Sequence, residues 1–218
     1  MFWNKKESRS VENPNTPVSF KNLMNVFGLD SVSSSGVSVT IDNALGVPSV
    51  MAAVQFLSGT IGSLPLNVYQ KTDNGREKLQ SGIQNILHDA FNDECTSFDG
   101  RKYAMQNTLT HGRSLTYIER SGSRIVNLFS IDPSKVKIKS NGFNKQYIFK
   151  VSDGSETTYQ ANEIIDIPFA LRSDNITAIS PILNAKNAIG LMIAATSYGS
   201  KFFNNGGVPP FVVTGKFE

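Results

Sequence analysis

The sequence SPILNAKNAIGLMIAATSYGSKFFNNGGVPP, from Ser180 to Pro210, has the features of one long helix with defined ends. Ser180 can accept a hydrogen bond from a free amide of the first turn, and Pro181 suits the first helical position because no N–H is needed there. Two glycines and two prolines, from Gly206 to Pro210, oppose continuation of the helix. Apolar residues recur between these ends at helical spacing, at Ile182, Leu183, Ala185, Ile189, Met192, Ala195 and Phe203.

This predicted C-terminal helix has no charged residue between Lys186 and Lys201. A helix on the surface of a small monomer usually presents a charged face to water. We therefore expect the helix to be buried by its own chain or to contact another subunit. The uncharged run is shorter and more polar than the roughly 20 apolar residues of a membrane span, so no membrane contact is expected. The candidate subunit-interface residues are Ile189, Met192, Ile193, Phe202 and Phe203.

The composition is typical of a globular protein without disulfide bonds. The 218 residues are 39% hydrophobic and 18% charged, which is enough for one sizeable core or two small ones. The net charge of +3 is too small to indicate a nucleic-acid-binding protein by itself. Cys95 is the only cysteine, so neither an internal disulfide nor a cysteine-based zinc site can form. No apolar segment follows the first lysines, and we expect no secretory signal.

The sequence predicts an arm followed by one domain. Residues 1–40 contain prolines and a serine-rich run without a sustained apolar period, so we expect a flexible arm. Residues 41–218 are expected to form one α+β domain. Periodicity predicts helices at Pro48–Ser63, Ile83–Phe91 and Thr96–His111, the last opened by a capping box. The apolar stripe of the first helix is predicted to be Val50, Val54, Leu57, Ile61 and Leu64.

From Ser114 to Ile167 the hydrophobic period changes to two, which is typical of strands. A strand is also predicted at Leu66–Tyr69, before a hairpin turn at Asn74-Gly75. Short strands joined by tight turns imply antiparallel pairing, and no repeated βαβ order is present. The predicted fold class is therefore α+β, with antiparallel strands and hairpins packed against several helices. The remaining turns are predicted at Ser121-Gly122, Asn141-Gly142 and Asp153-Gly154.

No catalytic constellation is visible in the sequence. His88 and His111 have no metal-ligand spacing around them, and His111 is expected to end a helix. Ser134 and Lys137 match the S-x-x-K pattern of serine enzymes, but a strand would place them on opposite faces. We therefore predict no enzyme, metal or cofactor. A metal-dependent hydrolase stays the less favoured alternative, since it would require distant acids such as Asp93, Glu163 and Asp166 to converge.

Five lysines and no acid lie between Pro133 and Lys150. Lys135, Lys137 and Lys139 are predicted to share one face of a strand. A solvent-facing strand is the favoured interpretation, because lysines usually lie in water. The alternative is a contact with phosphates or with an acidic protein, in which case DNA binding would depend strongly on salt. A binding module without enzymatic activity is accordingly a second candidate function.

The order of motifs resembles the portal proteins of tailed bacteriophages, in the HK97-like portal family. Five segments carry the resemblance: Val39–Tyr69, which ends in the phrase Leu64-Pro65-Leu66-Asn67-Val68-Tyr69; Ile86–Asn92; His111–Ile118 with Leu128 and Ile131–Pro133; Glu163–Pro168; and Ile179–Gly207. The sequence departs from the family pattern at several positions. Arg113 stands where an asparagine is usual after Gly112, Asp166 where a histidine often precedes Ile-Pro, and Ile179 where a glycine is common before Ser-Pro.

The resemblance implies a structural subunit of a dodecameric ring at one vertex of the capsid. Portal rings form the channel through which DNA is packaged and ejected, and they dock terminase and head-tail connector proteins. The implied partners are therefore sister subunits, capsid protein, terminase, connector proteins and non-specific double-stranded DNA. The implied location is the virion, after assembly in the host cytoplasm. Because family members continue into stem, clip and crown regions, this sequence is expected to represent their wing-type portion.

Overall fold

A computed structural model describes residues 31–73, 75–140, 142, 144–151 and 154–207. The helices are α1 (Ile41–Leu45), α2 (Pro48–Ser63), α3 (Gly82–His88), α4 (Ser97–Thr110), α5 (Pro181–Asn184) and α6 (Lys186–Asn204). The strands are β1 (Tyr69–Thr72), β2 (Gly75–Lys78), β3 (Ala90–Asn92), β4 (Cys95–Thr96), β5 (Arg113–Ser121), β6 (Arg124–Ile131), β7 (Val136–Ser140), β8 (Lys145–Lys150), β9 (Glu156–Gln160) and β10 (Ile164–Pro168). All pairs among these strands are antiparallel, which confirms the α+β class.

The described chain divides into two compact units. The smaller unit contains residues 31–47 and the segment from Ala185 that includes α6, and the larger unit contains residues 48–184. In the smaller unit, α6 packs closely against the segment that contains Ser33, because Gly190 of α6 has no side chain. A Cβ at Gly190 would lie 2.1 Å from Ser33 Oγ. The N–H of Ser34 donates to Asn187 Oδ1 of α6 at 3.0 Å.

Part of the predicted arm is therefore folded onto α6. Val39 is fully buried, and Thr40 caps α1 by accepting a hydrogen bond from the N–H of Asn43. Residues 1–30, which make up most of that arm, lie outside the described residues. The flexibility of the arm and the single domain expected from residue 41 stay predictions.

The prediction of a single C-terminal helix is wrong in one respect, since the helix is interrupted at Ala185. The backbone there has φ −90° and ψ 13°, so α5 ends at Asn184 and α6 starts at Lys186. Ser180 has the expected capping role, since its hydroxyl accepts from the N–H of Leu183 at 3.2 Å. The same hydroxyl donates to the carbonyl of Thr110 at 2.5 Å, which holds the start of α5 against the end of α4.

In the larger unit, two three-stranded sheets pack face to face. Their strand orders are β10-β5-β6 and β7-β8-β9. The core between them contains Leu115, Ile131, Tyr147 and Ile164, all nearly removed from solvent. Alternate side chains of a strand point to opposite faces, so Leu115 of β5 lies in this core whereas Ile118 of β5 faces the other side of the sheet.

Helices cover the other face of the β10-β5-β6 sheet. Ile86 of α3, Phe91 of β3 and Leu128 of β6 form a second buried cluster there. The helix predicted to extend to Phe91 therefore ends earlier, at His88, and Phe91 belongs to a strand. Helix α4 packs against β5, and α2 packs against α4 as the next layer outward.

The predicted apolar stripe of α2 is mostly wrong. The helix itself spans Pro48–Ser63 as expected, but its buried residues are Val54, Ser58 and Gly62. Small residues at this four-residue spacing allow close approach to α4, since a Cβ at Gly62 would lie 3.2 Å from the Phe98 ring. The larger predicted side chains of α2 consequently face outward.

Two strand predictions need smaller corrections. The strand expected at Leu66–Tyr69 begins only at Tyr69, although the predicted hairpin with β2 is present. Lys135 belongs to the 3-10 turn Pro133–Lys135 that precedes β7, where Asp132 accepts a hydrogen bond from the N–H of Ser134. At the predicted turns, Gly122, Gly142 and Gly154 have positive φ, whereas Asn74, Asn141 and Asp153 lie outside the described residues.

Candidate interaction surfaces

Helix α6 presents an uncharged apolar face to solvent. Of the predicted interface residues, Met192 and Phe203 are exposed, Ile193 and Phe202 are half-buried, and Ile189 is only 5% exposed. Two residues that the sequence analysis did not name, Leu191 and Tyr198, complete the exposed face and are 62% and 73% accessible. Since Ile189 is enclosed by its own chain, the candidate interface consists of the exposed set rather than of the whole predicted stripe.

Helix α2 carries a second surface of the same kind, which sequence reasoning assigned to the core. Phe56 is 72% exposed, and Met51, Leu57 and Ile61 of the same helix and Leu64 just beyond it are also exposed. The signal that could have identified this surface was present, because no charged residue occurs from Asn43 to Gln70. That run is longer than the uncharged run of α6, and the same argument about a charged face applies to it.

The predicted lysines lie on the outer side of the β7-β8-β9 sheet. Lys137 and Lys139 point outward from β7 and face the uncharged residues Ile148 and Gln146 of β8. Lys135 is also exposed, but it lies on the 3-10 turn instead of the strand. Their exposure agrees with the solvent-facing interpretation, and a contact with phosphates or an acidic protein stays a prediction.

A buried ionic cluster lies where the predicted motifs meet. Arg113 Nε and Asp166 Oδ1 are 2.8 Å apart, with side chains only 9% and 11% exposed. The hydroxyl of Tyr147 donates to Asp166 Oδ2 at 2.8 Å, and Arg113 donates to the carbonyl of Ile176 at 2.7 Å. Burial, reinforced by the bond to Asp166, raises the pKa of Tyr147 far above its ordinary value.

The two residues of this ion pair are both departures from the family pattern described above. By that resemblance, Arg113 stands at an asparagine position and Asp166 at a histidine position, and the pairing of β5 with β10 brings the two side chains into contact. Gly112 next to them has φ +81°, and a Cβ there would lie 2.4 Å from the carbonyl oxygen of Ile179. The cluster therefore joins the third, fourth and fifth matching segments, and its geometry is that of a structural junction.

The acids required by the hydrolase alternative are not assembled. Asp166 is held by Arg113 and Tyr147, and Glu163 accepts from the backbone of Gln160 at 2.7 Å. Asp93 is an exposed residue of the turn between β3 and β4. Among the residues that the structure describes, no group of three histidine, cysteine or acidic side chains is placed to hold a metal.

The serine and histidine candidates have structural roles. Ser134 lies in the turn before β7, where its hydroxyl donates to Asp132 at 2.7 Å. Ser134 therefore has no lysine one turn away on the same α-helix, which the S-x-x-K pattern of serine enzymes would require. His111 ends α4, as predicted, and its N–H donates to the carbonyl of Asn107. A cleft of about 380 Å³ beside these residues is lined by His111, Arg113, Leu115, Pro133, Ser134, Val136, Ile138, Ile176, Thr177 and Ala178. No helix in the described residues is long and apolar enough to cross a bilayer.

Comparison with known proteins places the chain in a family. A sequence model described as "Phage portal protein" matches residues 48–218, so the chain belongs to the phage portal protein family. The probable portal protein of Streptomyces phage phiC31 is 30% identical over 198 residues, which cover 86% of this chain and 43% of that protein. The portal protein of Enterobacteria phage HK97 is 21% identical, over 81% of this chain and 42% of that protein.

Solved structures share the fold at low sequence identity. A chain in the structure titled "Neck of empty GTA particle computed with C6 symmetry" matches with TM-score 0.65 and 15% identity, over 75% of this chain and 45% of that one. A chain in "Neck of native GTA particle computed with C12 symmetry" matches with TM-score 0.63 and 14% identity, over 84% of this chain and 51% of that one. The present chain thus spans less than half the length of the curated relatives it matches.

Proposed function

We propose that this chain is the wing-type portion of a portal subunit, which assembles into a ring at one vertex of a phage capsid. The ring would form the channel for DNA packaging and ejection, and would dock terminase and the head-tail connector proteins. Membership of the portal family supports this role, and so do similar chains in neck particles computed with six-fold and twelve-fold symmetry. We infer a virion component that assembles in the host cytoplasm with capsid protein and has no enzymatic activity.

The observation on which this proposal depends is the uncharged, exposed apolar surface of α2 and α6. A closed ring with head-to-tail contacts needs two different patches on each subunit, one for each neighbour. Phe56 and Ile61 on α2, and Leu191 and Tyr198 on α6, supply exposed apolar area of the type that subunit interfaces bury. We propose that sister subunits, or the rest of a longer portal chain, cover these faces.

The native mass of the assembly tests the proposal. We would measure it by light scattering and by direct imaging, for this chain and for any longer product of the same gene. The variants Phe56→Ser with Ile61→Gln, and Leu191→Gln with Tyr198→Ser, should lower the mass while the circular dichroism spectrum stays unchanged. Gln55→Ala on α2 and Ser200→Gln on α6 are matched controls, since both residues are exposed and polar.

Two outcomes would contradict the proposal. The first is that this chain, together with any longer product of the same gene, stays monomeric at every accessible concentration. The second is an assembly whose mass is unaffected by the apolar-face variants and by their polar controls alike. In that case the exposed faces would have no part in association, and family membership would be the only remaining support for the proposed function.

A further inference from the structure

The hairpin β1–β2 concentrates positive charge on one of its faces. In its register Tyr69 lies opposite Lys78, and Lys71 lies opposite Arg76. Directly opposed residues of an antiparallel pair point to the same side, and residues two apart along a strand share that side. One face therefore holds Tyr69 and three cations, and we call this set the basic ribbon. The other face holds Gln70, Thr72, Gly75 and Glu77.

The three cations of the basic ribbon have no anionic partner in the described chain. All of Lys71, Arg76 and Lys78 are exposed, and none of them forms an ion pair with a described acid. The hairpin contains two acids, Asp73 in the turn and Glu77 on the opposite face. Like charges directly opposite each other, as in the pair of Lys71 and Arg76, destabilise a sheet. The arrangement therefore disfavours the isolated hairpin, and an external anion would relieve it.

We propose that the basic ribbon is a sequence-independent contact for the phosphate backbone of double-stranded DNA. This inference rests on the proposed function only in taking the packaged duplex as the polyanion. Lys78 lies two residues from Arg76, at about 7 Å along the strand. Phosphates occur about every 3.4 Å along each strand of the duplex axis, so neighbouring cations can reach neighbouring phosphates. The hydroxyl of Tyr69, which is 57% exposed, adds a donor of the kind that contacts phosphate oxygens.

The chemistry of the face favours DNA over an acidic protein. Protein interfaces have an apolar centre and are depleted in lysine, whereas Tyr69 is the only aromatic or apolar residue of the basic ribbon. Protection of an exposed strand edge is another common use of lysine. Edge protection would be served equally well by alternating charges, and it does not require two cations to face each other.

The salt dependence of duplex binding tests the inference. A fluorescently labelled duplex of random sequence is titrated with the protein between about 50 and 200 mM salt. The variant Lys71→Gln, Arg76→Gln, Lys78→Gln should reduce the slope of log K against log salt by about 2.7 for each ribbon that engages DNA. Glu77→Gln is the matched control, because it raises the net charge on the opposite face of the same hairpin. The control should leave the slope unchanged.

A second variant keeps the test independent of folding defects. Lys71→Glu places an acid opposite Arg76, so the hairpin amides should become better protected from hydrogen exchange while duplex binding weakens. An unchanged salt slope in the triple variant, or an equal change in Glu77→Gln, would overturn the proposal. Polyglutamate that competes as well as a duplex at equal charge would identify an acidic protein as the partner, which also overturns it.

Measurement of native mass on the same samples separates this inference from the proposed function. If the triple variant forms a normal ring and its duplex binding keeps the full salt slope, the proposed DNA contact of the basic ribbon is rejected and the proposed ring is not. If the wild-type chain never assembles but its duplex binding depends on the three cations, the proposed ring is rejected and the proposed DNA contact of the basic ribbon is kept.

Discussion

Arg113 and Asp166 are paired at 2.8 Å although 53 positions separate them in the sequence, and each is nine-tenths buried. Strand β5 carries the first and β10 the second, and the two strands are neighbours in one sheet. A charge removed from water is tolerated only with a close partner and satisfied hydrogen bonds. Tyr147 donates to Asp166 Oδ2, and Arg113 donates to the carbonyl of Ile176, whereas Arg113 Nε and Asp166 Oδ1 attract each other at 2.8 Å without hydrogen-bond geometry. The pair is therefore expected to behave as one unit on mutation.

The effects of substituting the two members should not be additive. Asp166→His alone leaves Arg113 without its anion, and we expect a loss of about 3–5 kcal/mol in the free energy of unfolding. The double variant Arg113→Asn with Asp166→His introduces the two residues that the resemblance described above expects at these positions. It should be more stable than the sum of the single effects predicts, with a coupling energy of about 0.5–3 kcal/mol. Urea unfolding of the four proteins measures this, and strict additivity would show that the pair is not a unit.

Gly112 should tolerate no side chain. Its φ of +81° disfavours any other residue by roughly 1–2 kcal/mol, and a Cβ would collide with the backbone of Ile179. Gly112→Ala should therefore be destabilised by about 2–5 kcal/mol, once about 1–3 kcal/mol for overpacking is included. Gly122→Ala is the matched control, because Gly122 has φ +64° with no atom within 4 Å of the added Cβ. Equal losses in thermal unfolding would mean that the contact with Ile179 is unimportant.

Arg101 of α4 ties together the ends of two other helices. Its guanidinium donates to the carbonyl of Gly62 in the last turn of α2 and to the carbonyl of Leu87 in the last turn of α3, each at 2.8 Å. These carbonyls lie at the negative ends of the helix dipoles, where a cation is favourable. Arg101→Met should destabilise the fold by about 1–3 kcal/mol, because it removes the side-chain donor of the part-buried Gly62 carbonyl and leaves the Leu87 carbonyl with the Ser97 hydroxyl as its side-chain donor.

The neighbouring residue provides the control for Arg101. Lys102 lies 5.9 Å from the centre of the Phe98 ring and contacts it only through a cation–π interaction. Lys102→Met should consequently change the free energy of unfolding by at most about 1 kcal/mol. A similar effect of both substitutions in chemical denaturation would argue against a special role of Arg101 at the helix ends.

The strands and several helix ends could be predicted from the sequence because their signals are local. Thr96 caps α4 by accepting from the N–H of Asp99 at 3.1 Å, as the spacing of the two residues indicated. Gly122, which follows Ser121, adopts the positive φ that a tight turn between β5 and β6 requires. Such features depend on a few adjacent residues, so no knowledge of the tertiary packing was needed.

The errors arose where packing between distant segments decides the outcome. Leu57 and Ile61 have helical spacing, yet they face solvent because Ser58 and Gly62 allow the closer approach to α4. Hydrophobic periodicity cannot distinguish an interface of small residues from one of large residues. The ion pair of Arg113 and Asp166 could not be predicted from the sequence for a similar reason, since only the register of β10 on β5 brings the two residues together.

The pH dependence of stability should report on Asp174. Hydrogen bonds from the Thr177 hydroxyl, then from the N–H groups of Ile176 and Thr177, lower the pKa of its carboxyl to about 2. An aspartate in an unfolded chain has a pKa of about 3.9. Because the folded value is the lower one, this carboxylate contributes stability above about pH 4, and the contribution is lost as the pH falls toward about 2.

Replacement of this carboxylate isolates its share of the acid sensitivity. Asp174→Asn removes the titrating group but keeps one oxygen that can accept from the same amides. We expect the stability of the wild type to fall more steeply than that of Asp174→Asn between about pH 4 and pH 2. Asp73→Asn, at an exposed acid of the β1–β2 turn, is the control, because it removes one carboxylate and leaves the bonds between Asp174 and Thr177 intact. Parallel stability curves for the wild type and Asp174→Asn would show that the Thr177 bonds are not maintained in solution.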